Sequence, residues 1–231
     1  MIGRRAPGVA VAALAVAAWG CAPAGRVESA APARPARSVE ELEAAYHARV
    51  DSARTRFTEA DARFMSGMIG HHAQALIMAA MAPTHGAGPQ LRVLAARIDN
   101  AQSDEIAWMQ QWLRDRGQPA PEVHIEGTTL MIHGAGGHGH DHSTMPGMLT
   151  PAQLDELDAA RGIEFDRLFL EFMIQHHAGA VTMVEDLFAT DGAAQDGDTF
   201  KLASDVQVDQ RTEIARMQLM LDALTDADGA P

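Results

Sequence analysis

Cysteine occurs once in the 231 residues, at Cys21, so no disulfide can form within the chain. Aromatic side chains make up 5% of the sequence and runs of β-branched residues are missing, which argues against a sheet-built core. Positive charge is scarce: 18 Lys and Arg face 31 Asp and Glu, for a formal charge of −13. An excess of acid on that scale argues against nucleic acid as the partner. Catalytic signatures are missing as well. The chain has no C-x-x-C-H for covalent haem, no G-x-S-x-G, no H-E-x-x-H and no phosphate loop. The E-x-x-H pairs of carboxylate-bridged di-iron bundles do not occur either.

What is present is rich in Ala, Leu and Met, a composition that favours helices. Residues 1–20 have the pattern of an export signal. Arg4 and Arg5 precede an apolar stretch, Val9 to Ala18, that is too short for a dedicated membrane span. Ala18-Trp19-Gly20-Cys21 resembles a bacterial lipobox and predicts a lipid on Cys21, and with it a membrane anchor. The expected location is the cell envelope, periplasm-facing or on the outer surface; without lipidation the protein would be secreted. Residues 21–37, dense in Ala, Pro and Arg, read as a flexible tether.

Order is expected over residues 38–225. S-V-E-E at Ser38 fits a capping box ahead of Leu42, Tyr46 and Val50. The most informative feature is a phrase written twice: M-I-G-H-H-A-Q-A-L-I-M at Met68–Met78 and M-I-Q-H-H-A-G-A-V-T-M at Met173–Met183. Asp61 and Phe64 precede the first copy as Asp166 and Phe169 precede the second. In the first helix Phe64, Met68, His71, Ala75 and Met78 step by three and four, so they share one stripe. A partner helix follows to Arg116, with Leu94, Ile98, Ala101, Glu105, Trp108, Met109 and Trp112 at helical spacing. Its Ile98, Gln102, Glu105, Ile106, Met109 and Leu113 recur as Val206, Gln210, Glu213, Ile214, Met217 and Leu221.

Two αα-hairpins are therefore predicted, residues 58–116 and 150–225, joined by an irregular Gly- and His-rich crossover over 117–149. Each hairpin exposes an apolar stripe that the other can bury. The expected fold is all-α, a ferritin-like four-helix bundle made of two duplicated hairpins with a long crossover loop.

Three constellations could carry chemistry. On a helix, Met68 lies one turn below His71 and His72, and Met173 does the same for His176 and His177. With Met78 and Met183 closing each phrase, thioether and imidazole donors suit copper, above all Cu(I), with other transition metals possible. The same residues also fit a metal-free core in which histidine is hydrogen-bonded and methionine fills gaps. In either case one histidine of each pair can face outward, which makes His72 and His177 the weaker candidates. Second, Gln102 with Glu105 and Gln210 with Glu213 repeat on the partner helices. Each Glu could accept an imidazole N–H and so set the tautomer of a ligating histidine, or make the same bond without a metal. Third, the crossover holds His133, His138, His140 and His142 beside Met145 and Met148, either a metal-scavenging loop or a polar linker.

F-M-S-G-M-I-G-H-H-A-Q-A, Q-S-D-E-I-A-W-M-Q-Q-W-L, M-P-G-M-L-T, F-D-R-L-F-L-E-F-M-I-Q-H-H-A-G-A and Q-R-T-E-I-A-R-M resemble the exported bacterial "domain of unknown function 305" family over about residues 58–222. The resemblance implies a ferritin-like bundle and, as in some members, periplasmic copper binding. Copper would then rest on Met68, His71, His72, Met173, His176 and His177, with Met145 and Met148 less firmly placed. The leading expectation is a non-enzymatic copper buffer, store or delivery protein serving metal homeostasis in the envelope. A ferritin-like metal-dependent oxidase and a metal-free interaction module are the alternatives.

Overall fold

The computed structural model describes residues 37–54, 56–134 and 144–228. Cys21, the signal segment, the tether before Arg37 and His138, His140 and His142 lie outside the described residues. Six helices and one two-stranded sheet occur among those described: α1 (Val39–Arg54), α2 (Glu59–Met81), α3 (Pro89–Asp115), β1 (Glu122–Glu126), β2 (Thr129–His133), α4 (Pro151–Ala159), α5 (Ile163–Ala189) and α6 (Gly197–Asp228). No helix among the described residues is long and apolar enough to cross a membrane.

Local chemistry sets the helix starts. Thr58 caps α2 through a reciprocal box: its hydroxyl accepts from Asp61 N–H, and the Asp61 carboxylate accepts from Thr58 N–H at 2.8 Å. Thr150 and Gln153 do the same for α4, where Pro151 fills the first turn and loses no bond by lacking an N–H. The α3 helix opens on Pro89.

Two αα-hairpins, α2–α3 and α5–α6, pack through α2 against α5, as a ferritin-like four-helix bundle. A reciprocal tie fixes α2 and α5 as antiparallel. Asp61 at the start of α2 accepts from Ala194 N–H at 2.7 Å in the turn after α5. Its repeat partner, Asp166 at the start of α5, accepts from Gly88 N–H at 3.0 Å in the turn after α2. Each carboxylate thus fastens the turn of the opposite hairpin.

The core follows the same two-fold logic and consists of two apolar clusters. One holds Phe64, Met65, Met68, Met109, Ala180 and Val206; the other holds their repeat equivalents Phe169, Leu170, Met173, Met217, Ala75 and Ile98. Within α3 the spacing argument needs correcting. Ala101 and Trp108 (40% exposed) face outward, while the polar Gln102 takes a buried place at 2%.

The crossover is also not the irregular segment expected. Residues 122–133 form an antiparallel hairpin with Val123 opposite Ile132 and Ile125 opposite Leu130. Its short apolar–polar alternation turns at Gly127, whose φ of +59° an L side chain rarely adopts. The hairpin packs against α2.

Candidate metal centre

His71, His72, His176 and His177 are all fully buried, where the antiparallel α2 and α5 cross. None of the four faces outward, so His72 and His177 are no more exposed than their neighbours. The rings of His71 and His176 stack at 3.9 Å between centroids, tilted by 37°. Met68 and Met173 are also fully buried, but they belong to different apolar clusters. The histidines therefore form a polar layer with one thioether-bearing cluster on either side.

Hydrogen bonding decides which nitrogen of each ring carries the proton. His71 Nε2 lies 3.0 Å from the Pro146 carbonyl, and His176 Nε2 lies 3.0 Å from the His71 carbonyl. A carbonyl oxygen only accepts, so both rings donate from Nε2. His72 Nε2 donates to Glu105 Oε2 at 2.7 Å, and His177 Nε2 to Glu213 Oε2 at 2.9 Å. The Nδ1 atoms of all four rings have no partner among the described residues. In the neutral ring each is a lone pair, and leaving a buried acceptor unmet costs about 1–3 kcal/mol. Both amide atoms of Gln102 and the Gln210 carbonyl oxygen are similarly unpartnered among the described residues.

Electrostatics keeps His71, His176 and His177 neutral. Burial, reinforced by the neighbouring His72, pushes the His71 imidazole down to about 3. Burial and then His71 push His176 well below its ordinary value. Burial also lowers His177, although Glu213 pulls the other way. Two imidazolium ions could not stack at 3.9 Å, and a metal ion needs the neutral ring. Among the described residues no three His, Cys, Asp or Glu side chains gather around one point. A metal held here would need donors of another type, and thioethers are the type that flanks the layer.

The remaining sequence candidates divide clearly. Met78 is fully buried in the cluster that contains Met173, whereas Met183 is half-buried at the surface. His133 ends β2 and is exposed, outside the histidine layer. Met148 is buried and Met145 half-buried, both on the last turn of the crossover.

That turn, Met145–Leu149, is the element that spacing alone did not reveal. It lies between α2 and α5. Gln74 clamps it by accepting from Leu149 N–H at 2.7 Å and donating to Leu149 O at 3.0 Å. A Cβ on Gly179 would stand 2.0 Å from the Pro146 oxygen, so only glycine admits the turn. Gln74 and Gly179 are the same position of the repeat (A-Q-A against A-G-A). A signal was there: the two phrases differ at the residues that hold and admit the turn.

Deviations from two-fold symmetry thus sit at the crossover, which supplies the His71 acceptor, while the four histidines and the Glu105 and Glu213 acceptors keep it. A family model, "Domain of unknown function (DUF305)", matches residues 61–221, which include both histidine pairs and both supporting Glu residues. The chain belongs to the DUF305 family. Among solved structures, a DUF305 protein from Streptomyces coelicolor is 25% identical with a TM-score of 0.60, covering 72% of this chain and 94% of its own. A DUF305 fragment from Deinococcus radiodurans is 29% identical with a TM-score of 0.58, covering 72% and 98%. CopM in its Cu(I)-bound form is 27% identical with a TM-score of 0.52, covering 71% and 96%. CopM has also been solved in Cu(II)- and silver-bound forms. No curated protein matches the chain.

Proposed function

We propose that this DUF305 protein is an exported soft-metal-binding protein that takes up Cu(I) and buffers, stores or delivers it in the cell envelope. The observation that carries the reading is the set of four buried, unpartnered Nδ1 lone pairs, each on a ring fixed through its Nε2–H. A ligating imidazole whose other N–H is given to a carbonyl or carboxylate is the usual arrangement around a protein-bound metal. Fully buried Met68 and Met173 supply thioethers, which select soft ions over Mg²⁺ or Ca²⁺. The Cu(I)- and silver-bound states of CopM agree with that preference.

In this reading His71, His72, His176 and His177 are the imidazole donors, with Met68 and Met173 beside them. Glu105 and Glu213 orient His72 and His177 and add negative charge near an incoming cation. One oxygen of each carboxylate already accepts an imidazole N–H, which supports an orienting role for Glu105 and Glu213. Export and the lipid on Cys21 belong to the same proposal and rest on the N-terminal sequence.

Titrating apo-protein with Cu(I) against a competing chelator tests the reading. Tight binding is expected, and a His71→Ala/His176→Ala variant should weaken it by at least 100-fold, on the order of 3 kcal/mol. Absence of tight binding, or binding unchanged in the double variant, refutes the assignment.

A further inference from the structure

We propose that Met145 and Met183 form a second, outer site for a soft monovalent cation, in a cleft that Gly67 holds open. The cleft has a volume of ≈ 400 Å³ and is lined by Phe64, Gly67, Met145, Pro146, Met183 and Asp186, among others. A Cβ on Gly67 would lie 3.5 Å from Met145 Sδ and 3.4 Å from Met183 Cε, so the two thioether side chains both border the space over the bare α-carbon of this residue.

Comparison of the two halves shows that the opening is specific to one of them. The repeat equivalent of Gly67 is Phe172, which packs against the cluster where Met78, the equivalent of Met183, is fully buried. Replacing that phenyl ring by hydrogen leaves Met183 half-buried and reachable from solvent. Met145 has no repeat equivalent. The crossover turn brings it in, anchored at its far end by the two Gln74–Leu149 hydrogen bonds. Two helices and the crossover therefore contribute to one solvent-facing place that the other half of the bundle lacks.

The donor chemistry defines the ligand class. Two neutral thioethers bind a d¹⁰ monovalent ion such as Cu(I) or Ag(I), and bind poorly to hard, strongly hydrated cations. The Asp186 carboxylate on the wall favours positive charge, and the Arg63 guanidinium is drawn to Glu59 at 2.6 Å. The cleft also adjoins the interior: Pro146 lines it and accepts the His71 Nε2–H. A cation held at Met145 and Met183 is thus one residue away from the buried layer. The inference shares the soft-metal reading of the interior but needs none of the interior histidines.

The experiment is a silver(I) titration of full-length protein carrying ¹³C-methyl methionine, in chloride-free buffer. Methyl signals are assigned from single Met→Leu variants. Shifts of the Met145 and Met183 methyls are expected. A Met145→Leu/Met183→Leu double variant should keep its helical circular dichroism and lose one equivalent of bound silver. A Gly67→Phe variant, which restores the residue of the second copy, should lose the same equivalent. Unchanged stoichiometry in the double variant overturns the site. Shifts confined to Met68 and Met173 also overturn it and leave the interior reading standing. Shifts confined to Met145 and Met183 support the outer site and overturn the interior one.

Discussion

Gly179→Ala is the sharpest test of how the crossover and the histidine layer depend on each other. The added methyl would sit 2.0 Å from the Pro146 oxygen, 2.4 Å from its carbonyl carbon and 2.6 Å from Gly147 Cα. All three are backbone atoms, so no side chain can swing aside, and the whole turn must lift. Overpacking of this kind costs about 1–3 kcal/mol. Lifting the turn also breaks the His71–Pro146 bond and both Gln74–Leu149 bonds, at about 1 kcal/mol each. Against this, alanine in a helix interior gains roughly 0.5–1 kcal/mol over glycine. The net loss is about 4 kcal/mol, to be read from urea unfolding of the apo-protein, with a fall in Tm of roughly 8–16 °C at this chain length. Gly117→Ala serves as the control: its φ is +65° but nothing lies within 4 Å, so only the backbone strain of about 1–2 kcal/mol applies. The variant should also release His71 Nε2 from its carbonyl, visible as a changed tautomer signature in ¹⁵N imidazole spectra. A loss under 1 kcal/mol with an unchanged His71 spectrum would refute the close docking of this turn.

Three interior histidines predict acid sensitivity. Burial holds the His71, His176 and His177 rings neutral in the fold below pH 6.5, while the unfolded chain takes up protons near that value. The unfolded state therefore binds more protons from pH 6.5 down toward about 3, and stability falls across this window. His71 alone contributes a slope of up to about 1.4 kcal/mol per pH unit, and the lowered His176 and His177 act in the same direction, measurable as Tm against pH; a flat profile from pH 6.5 to 5 contradicts the buried neutral rings. Replacing Glu105 or Glu213 by Gln should lower Cu(I) affinity roughly 10–100-fold while leaving the stoichiometry unchanged, because the carboxylates orient the ligands. An unaltered affinity removes them from the site. Asp196→Ala should destabilise the apo-protein by about 1–3 kcal/mol in urea. This buried carboxylate accepts from Thr199, Trp112 and Arg116 at the start of α6, and its loss unpairs the Trp112 and Thr199 donors and leaves Asp198, at 3.3 Å, as the acidic partner of Arg116.

Much of this architecture is written locally. The helix start at Thr58, the capping box at Thr150, the step of three and four along α2, and the repetition of M-I-x-H-H-A all act within a few residues, so periodicity and spacing reveal them. Duplication then carries the two-hairpin bundle, because equal stripes on equal hairpins bury each other. The β-hairpin at 122–133 was less legible: its alternation is short, and a Gly- and His-rich setting conceals it.

Tertiary structure alone decided the chemistry of the repeat. The acceptor for His71 lies 75 residues away at Pro146, and that for His176 is the backbone of the opposite copy, 105 residues away. Helical spacing places a histidine on a face, but only its partner across the bundle selects the nitrogen that keeps the proton. The same holds for asymmetry. Gln74 against Gly179, and Gly67 against Phe172, read as neutral drift between two copies until the crossover turn is seen to press on one and open a cleft beside the other. The sequence determines two repeated halves that differ at a few positions; packing one loop between them gives those differences their structural effect, because a single segment cannot satisfy two symmetry-related positions at once.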